Sequence, residues 1–205
     1  MARCELIALH PQHPAPQHLA HVAEVLRGGG VVAYPTDSVY GLGCDIASPK
    51  AVERIMRIKG IKPKDAKFSL ICCSIAQAAQ FAKIDNTAFR LMKRTLPGPF
   101  TYLLPGLHHV PDHLMGRRRT LGVRIPSSPI ALGIQEHLGR PLLNTSAKST
   151  DGLQVYPAEP TEIFERYQNL LDLVIDGGLG GTVPSTVVDC TGREPTITRQ
   201  GLGEL

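Results

Sequence analysis

Tryptophan is absent from the 205 residues, and five phenylalanines and five tyrosines make up the whole aromatic set of the three large rings. So few rings exclude an extended base-stacking platform of the kind that grips single-stranded nucleic acid. No apolar run approaches the ~18 residues of a membrane span, and the N-terminus lacks the charged-then-apolar pattern of a signal peptide. The chain is therefore expected in the cytoplasm, away from membranes. Cysteine is scarce and unpaired: Cys4, Cys44, Cys72, Cys73 and Cys190 are odd in number and show no CxxC spacing. That excludes a disulfide framework and a structural zinc site and leaves reduced thiols in or near the core. His10, His13, His18 and His21 crowd the N-terminal part without a cysteine or carboxylate pattern to complete a ligand set, so no metal site is expected there. Acidic residues are short in one part only. Residues 1–150 hold 19 Lys/Arg against 9 Asp/Glu, and residues 151–205 hold 3 against 9, which makes the first part +10 and the last −6. Such a block asymmetry points to a polyanionic partner, nucleotide or nucleic acid, with a hydrated basic face as the plain alternative.

With 42% hydrophobic residues, the chain is long enough for one sizeable core, and one domain spanning residues 1–205 is expected. Strand-like and helix-like apolar periods alternate without long linkers. The expected fold is an α/β single three-layer domain, a twisted mixed sheet flanked by helices. Strands are predicted at 6–9, 31–34, 68–72, 100–104, 121–125, 141–145, 171–175, 184–189 and from 196 onward. Helices are predicted at 17–27, 49–59 behind a Ser48 cap, 74–81, 86–96 with Phe89 and Met92 buried, 129–138 and 161–167.

Hydroxyl groups gather at the ends of these strands. Pro35 stops the strand at 31–34, and Thr36-Asp37-Ser38 follows at its carboxyl end, where ligands sit in open α/β sheets. The plain alternative is a polar turn between two strands. Gly41-x-Gly43 then lets a backbone pass close to something. Thr101 starts a later strand facing the same groove, Ser146 ends another, and Ser185-Thr186 opens a third. Arg124 lies inside an apolar strand and needs a partner, which makes it a stronger site candidate than the exposed run Arg117-Arg118-Arg119. That run, with the loop lysines Lys62, Lys64 and Lys67, suits either RNA phosphates or a hydrated surface. Gly177-Gly178-Leu179-Gly180-Gly181 is not ended by Lys-Ser/Thr, so it does not make a Walker loop.

The stretch Tyr34-Pro35-Thr36-Asp37-Ser38-Val39-Tyr40-Gly41-Leu42-Gly43-Cys44 closely resembles the opening motif of the YrdC/YciO family, whose best-known members are L-threonylcarbamoyladenylate synthases. The resemblance continues through Pro97-Gly98-Pro99-Phe100-Thr101, Gly122-Val123-Arg124-Ile125-Pro126, Thr145-Ser146-Ala147, Pro184 to Asp189 and Arg199-Gln200-Gly201. It implies a YrdC-like fold with a concave basic groove, and a nucleotide-binding protein that condenses ATP, L-threonine and bicarbonate into threonylcarbamoyl-AMP and pyrophosphate for tRNA modification. Magnesium would accompany the ATP. By resemblance, Lys59 and Arg124 are catalytic through phosphate oxygens, Lys59, Arg124, Ser146, Ser185 and Arg199 bind nucleotide, and Thr36, Tyr40 and Thr186 bind substrate. Two signature positions depart from the synthase pattern. Ile61 stands where Lys-x-Arg has its arginine, and Lys148 where Ser-x-Asn has its asparagine. An aliphatic chain cannot replace a bidentate guanidinium, and an ammonium lacks the amide's acceptor. Weak synthase activity is therefore expected, while the resemblance to the YciO-like branch of the family suggests a rival. The rival expectation is a protein without synthase activity that holds double-stranded RNA or tRNA through Lys62, Lys64, Lys67 and Arg117, Arg118 and Arg119.

Overall fold

The computed structural model describes residues 3–65, 67–115, 119–148 and 156–205, without the side chain of Lys64. Among these residues ten strands form one sheet: β1 (Glu5–Ala8), β2 (Val31–Tyr34), β3 (Gly41–Asp45), β4 (Ser69–Ile71), β5 (Phe100–Pro105), β6 (Thr120–Arg124), β7 (Leu142–Ser146), β8 (Leu173–Asp176), β9 (Thr186–Asp189) and β10 (Thr196–Arg199). Their order across the sheet is β1-β8-β2-β3-β7-β4-β6-β5-β9-β10. The pairs β1/β8, β2/β8, β4/β6 and β5/β9 are parallel and the rest antiparallel, so the sheet is mixed, as the sequence predicts. The helices are α1 (Pro16–Arg27), α2 (Pro49–Lys59), α3 (Ile75–Ala78), α4 (Asn86–Thr95), α5 (Asp112–Met115), α6 (Pro129–Leu138) and α7 (Pro160–Tyr167). None of them is long and apolar enough to cross a membrane.

The strand period of two divides the core between the two faces of the sheet. Val31 and Ala33 of β2 belong to one apolar cluster, with Val52, Ile55 and Met56 of α2, while Val32 and Tyr34 belong to another, with Val22 and Leu26 of α1 and Ile130 and Ile134 of α6. Val22 and Leu26 are wholly buried; each such side chain contributes roughly 1.5–3 kcal/mol relative to exposure. α1 and α6 pack on each other and cover only part of their face, the part over β8 and β2 and the first residues of β7. Beyond them no described element covers the same face. On β5, β6 and β9 the residues turned the other way, Tyr102 and Leu104, Leu121 and Val123, and Val188, complete the first cluster. The residues between them face an uncovered floor.

Two sequence expectations change. Phe89, expected in the core, is 45% exposed; α4 instead buries Ala88 and Met92, which lie four apart on one stripe and leave Phe89 a third of a turn away. Gly41–Asp45, not among the predicted strands, forms β3, and the close approach that Gly41-x-Gly43 permits is internal. A Cβ at Gly41 would sit 2.4 Å from Asn144 Oδ1, and one at Gly43 would sit 2.8 Å from the Tyr34 ring.

Candidate functional site

The open floor is a cavity of about 900 Å³. The pleat explains its lining: Thr101 and Leu103 of β5, Thr120, Gly122 and Arg124 of β6, and Val187 and Asp189 of β9 recur at every second residue. Ser69, Asn144 and Ser146 extend it across β4 and β7, and Pro184, Ser185, Thr198 and Arg199 close its far side. Strand ends thus bring Arg124, Ser146, Ser185 and Arg199 to one cavity, as the hydroxyl-rich ends suggest.

Arg124 is 5% exposed, and its charge is met from the loop after β2. Its Nη2 donates to Asp37 Oδ1 at 2.7 Å and to Ser38 Oγ at 3.0 Å. Asp37 Oδ2 in turn accepts from the Ser127 amide at 3.0 Å, so the carboxylate ties the β2 loop to the start of α6. The Arg124 Nε is buried and has no hydrogen-bond partner among the described residues. Thr36 shapes this loop from within: its hydroxyl donates to Val39 O at 2.6 Å and accepts from the Ser38 amide.

Across the cavity, Arg199 grips the Ser185 carbonyl through Nε at 3.1 Å and Nη2 at 2.7 Å. The Ser185 hydroxyl shares a 2.7 Å hydrogen bond with Thr101. No described carboxylate pairs with Arg199 within 4.0 Å. Burial pulls its pKa below the ordinary arginine value, with the like charge of Arg124 adding to the effect and Tyr156 opposing it. On the floor, wholly buried Tyr34 donates to Asn144 Oδ1 at 2.6 Å, and Asn144 Nδ2 donates to Ser69 Oγ at 3.1 Å. Lys59 reaches over from the end of α2 and donates to the carbonyls of Ser146 at 2.9 Å and Lys148 at 3.3 Å. Burial, then the neighbouring Lys148 charge, pushes the Lys59 pKa down to about 8.

Other residues singled out in the sequence lie elsewhere. Tyr40 is 1% exposed and spends its hydroxyl on Gly178 O at 2.8 Å; Thr186 is wholly buried and donates to Gly203 O. Neither of them, nor Thr36, nor Lys59, expected as a catalytic and nucleotide-binding residue, lines the cavity. Of the basic set, Lys67 lines it, Lys62 is exposed outside it, and Arg119 pairs with Asp112. The Lys64 side chain and Arg117 and Arg118 fall outside the described residues. The expected basic groove is corrected to a mixed one, since Lys67, Arg124 and Arg199 share it with Asp65 and Asp189. Sequence reasoning left Asp37, Ser69 and Asn144 without roles. Asn144 was findable, being two residues before Ser146 on the same pleat; Ser69 carried no signal of its own. Among the described residues no three His, Cys, Asp or Glu gather as a metal site.

A wide mixed sheet flanked by helices defines a fold class that known structures share. The crystal structure of Escherichia coli YciO superposes with TM-score 0.92 at 39% identity, covering 98% of this chain and 97% of that one. Pyrococcus abyssi Sua5 complexed with L-threonine superposes with TM-score 0.87 at 34% identity, covering 96% of this chain but 57% of that longer one. In sequence, the threonylcarbamoyl-AMP synthase of Nitrosococcus oceani is 36% identical over 170 residues, 82% of this chain and 90% of that protein. The family profile Sua5/YciO/YrdC, described as telomere recombination, matches residues 24–201, and the chain belongs to that family. It is homologous to threonylcarbamoyl-AMP synthases.

Proposed function

We propose that the cavity binds ATP and L-threonine and that the chain makes threonylcarbamoyl-AMP slowly. The observation that carries this is the pair Arg124 and Arg199 lining one cavity, the second with no carboxylate within 4.0 Å among the described residues. Two guanidinium groups on one hydroxyl-lined cavity suit oxyanions. The homologous synthases, and the L-threonine held by the Sua5 of similar fold, supply the substrate class. In the reaction the threonine amine and bicarbonate join as a carbamate with loss of water. A carbamate oxygen then attacks the α-phosphorus, and the P–O bond to pyrophosphate breaks. Arg124 and Arg199 hold the oxyanions, Ser146 and Ser185 orient the nucleotide, and Lys59, outside the cavity lining, meets the leaving phosphates by turning from the Ser146 and Lys148 carbonyls when protonated. Among the described residues no carboxylate set gathers to hold a cation; magnesium bound to the ATP would supply charge neutralisation on the departing pyrophosphate. Chemistry of this kind is positioning and charge stabilisation, and no side chain serves as nucleophile.

Ile61 and Lys148 account for the slow rate. Ile61 packs against the apolar core instead of offering donors. Lys148 adds a like charge that weakens the ionised form of Lys59. One lost preorganised donor costs ~10²–10³ in rate. The test is product formation from ATP, L-threonine and labelled bicarbonate, with an intact synthase alongside. The double change Ile61→Arg with Lys148→Asn is expected to raise turnover at least tenfold. Wild-type turnover equal to the intact synthase refutes the slow-synthase reading; no product from either form, with no ATP binding at millimolar concentration, refutes the site.

A second reading draws on the +10 charge of residues 1–150. On that reading the protein holds double-stranded RNA or tRNA by its phosphates through the basic loops, without synthesis.

A further inference from the structure

Arg124 is the side chain on which the reading above most depends, yet its placement is decided by a residue outside the cavity. Arg124 and Asp37 form an ion pair at 2.7 Å in which each side chain is 6% exposed. The carboxylate does two things there. Oδ1 takes one Nη2 hydrogen, while Ser38, the next residue on the same loop, takes the other at 3.0 Å. Oδ2 is held by the Ser127 amide at 3.0 Å, which fixes the carboxylate to the chain just beyond β6. Ser128 reinforces this by donating to Pro35 O at 3.2 Å while capping α6 through the Ala131 amide. Both ends of the brace are therefore anchored, one in the loop that leaves β2 and one at the N-terminus of α6. With Nη2 consumed, Arg124 keeps its Nη1 hydrogens for the cavity that it lines, while Nε is buried and has no partner among the described residues. A guanidinium pinned along one edge loses little rotamer freedom when an oxyanion takes the rest.

We propose that Asp37 is a positioning residue: braced by Ser127, it locks Arg124 so that the remaining guanidinium hydrogens meet the oxyanion of the substrate. Asp37 does not line the cavity, so it acts only through Arg124. The proposal deepens the synthase reading and depends on it for the nature of the oxyanion. Its geometry stands independently.

Asp37→Asn keeps the size of the side chain and removes its charge. The matched control is Asp45→Asn, since Asp45 is an equally buried carboxylate that accepts from Arg140 Nε at 2.9 Å away from the cavity. Calorimetric titration with ATP and with L-threonine is expected to show affinity for at least one falling about 10- to 100-fold in Asp37→Asn, with Asp37→Glu recovering part of it. Asp45→Asn is expected to lower the Tm with affinity unchanged. A merely structural Asp37 behaves like Asp45, and that result overturns the proposal. A ligand-free measurement separates this from failure of the synthase reading. In 15N-labelled protein the pinned Arg124 gives resolved Nη proton signals that collapse in Asp37→Asn. If wild type binds neither probe, the synthase reading fails and the signals alone decide: resolved and lost in Asp37→Asn supports the brace, averaged in wild type overturns it.

Discussion

Lys59 shows how one side chain sets a pH window. In the folded protein its ammonium is partly buried against two carbonyls and near Lys148, which brings its pKa down to about 8 from the ordinary 10.5. Between those two values the unfolded chain binds more protons than the folded one, so stability rises with pH across that window and is flat below it. Binding runs the other way. Above pH 8 the folded lysine loses the charge that would meet a phosphate, so ATP affinity is expected to fall between pH 7 and pH 9. Lys148→Asn removes a like charge and shifts that fall to higher pH. Titration calorimetry at pH 7, 8 and 9 on both proteins checks it; an affinity flat with pH removes Lys59 from phosphate binding. The same position shows what the sequence could not disclose. Lys59 and Lys148 are 89 residues apart, and only the fold reveals that the second residue offers its carbonyl and its charge to the first.

Elements were more legible than side chains. Pro35 ends β2, Ser48 caps α2 by accepting from the Ala51 amide, and the nine predicted strands fall within two residues of their apolar runs, because these signals are local, whereas the glycine-broken β3 was not predicted. Burial of a single face was less legible: Phe89 is apolar, but the stripe of α4 that meets the core is the one through Ala88 and Met92. The glycine-rich turn after β8 was read as not being a phosphate loop, and the structure supplies its use. A Cβ on Gly181 would sit 2.1 Å from Ser38 O, and one on Gly180 would sit 2.6 Å from the Tyr40 ring, so this turn packs directly onto the loop that carries Asp37. Gly178 differs: its φ is +87° and nothing lies within 4 Å of an added Cβ. Gly178→Ala therefore costs about 1–2 kcal/mol of backbone strain, and Gly178→Asn less, because asparagine tolerates the left-handed region. Gly181→Ala costs about 1–3 kcal/mol or more through overpacking, and Gly181→Asn costs at least as much. Urea unfolding of the four variants decides it. Recovery by asparagine at Gly181 would show that backbone conformation, not space, requires glycine there.

At the scale of the whole molecule the charge asymmetry and the cavity do not coincide. The cavity straddles the division: β4, β5, β6 and β7 come from the basic part, whereas β9 and β10 come from the acidic part and bring Asp189 with Arg199. Asp65 sits on the opposite lining. A duplex phosphate chain laid along this floor would meet two carboxylates, so RNA, where it binds, is expected on the outer surface that carries Lys62, with Lys64 and the run Arg117 to Arg119 as its further contacts and Lys67 left to the cavity that it lines. A-form RNA hides its base edges, and the poverty in aromatic rings leaves little to stack on, so binding should be insensitive to sequence. With roughly 4–6 phosphate contacts the log–log slope of affinity against salt is expected at about −3 to −5, and replacing Arg117, Arg118 and Arg119 by alanine should flatten it by up to about 3. Because the outer surface and the cavity are separate, saturating ATP should leave RNA retention unchanged. Filter binding across a salt series, with and without ATP, checks each part. Retention that ATP abolishes would put the RNA in the cavity; retention that the triple alanine variant leaves untouched, or none at low salt, would return the basic surface to hydration alone.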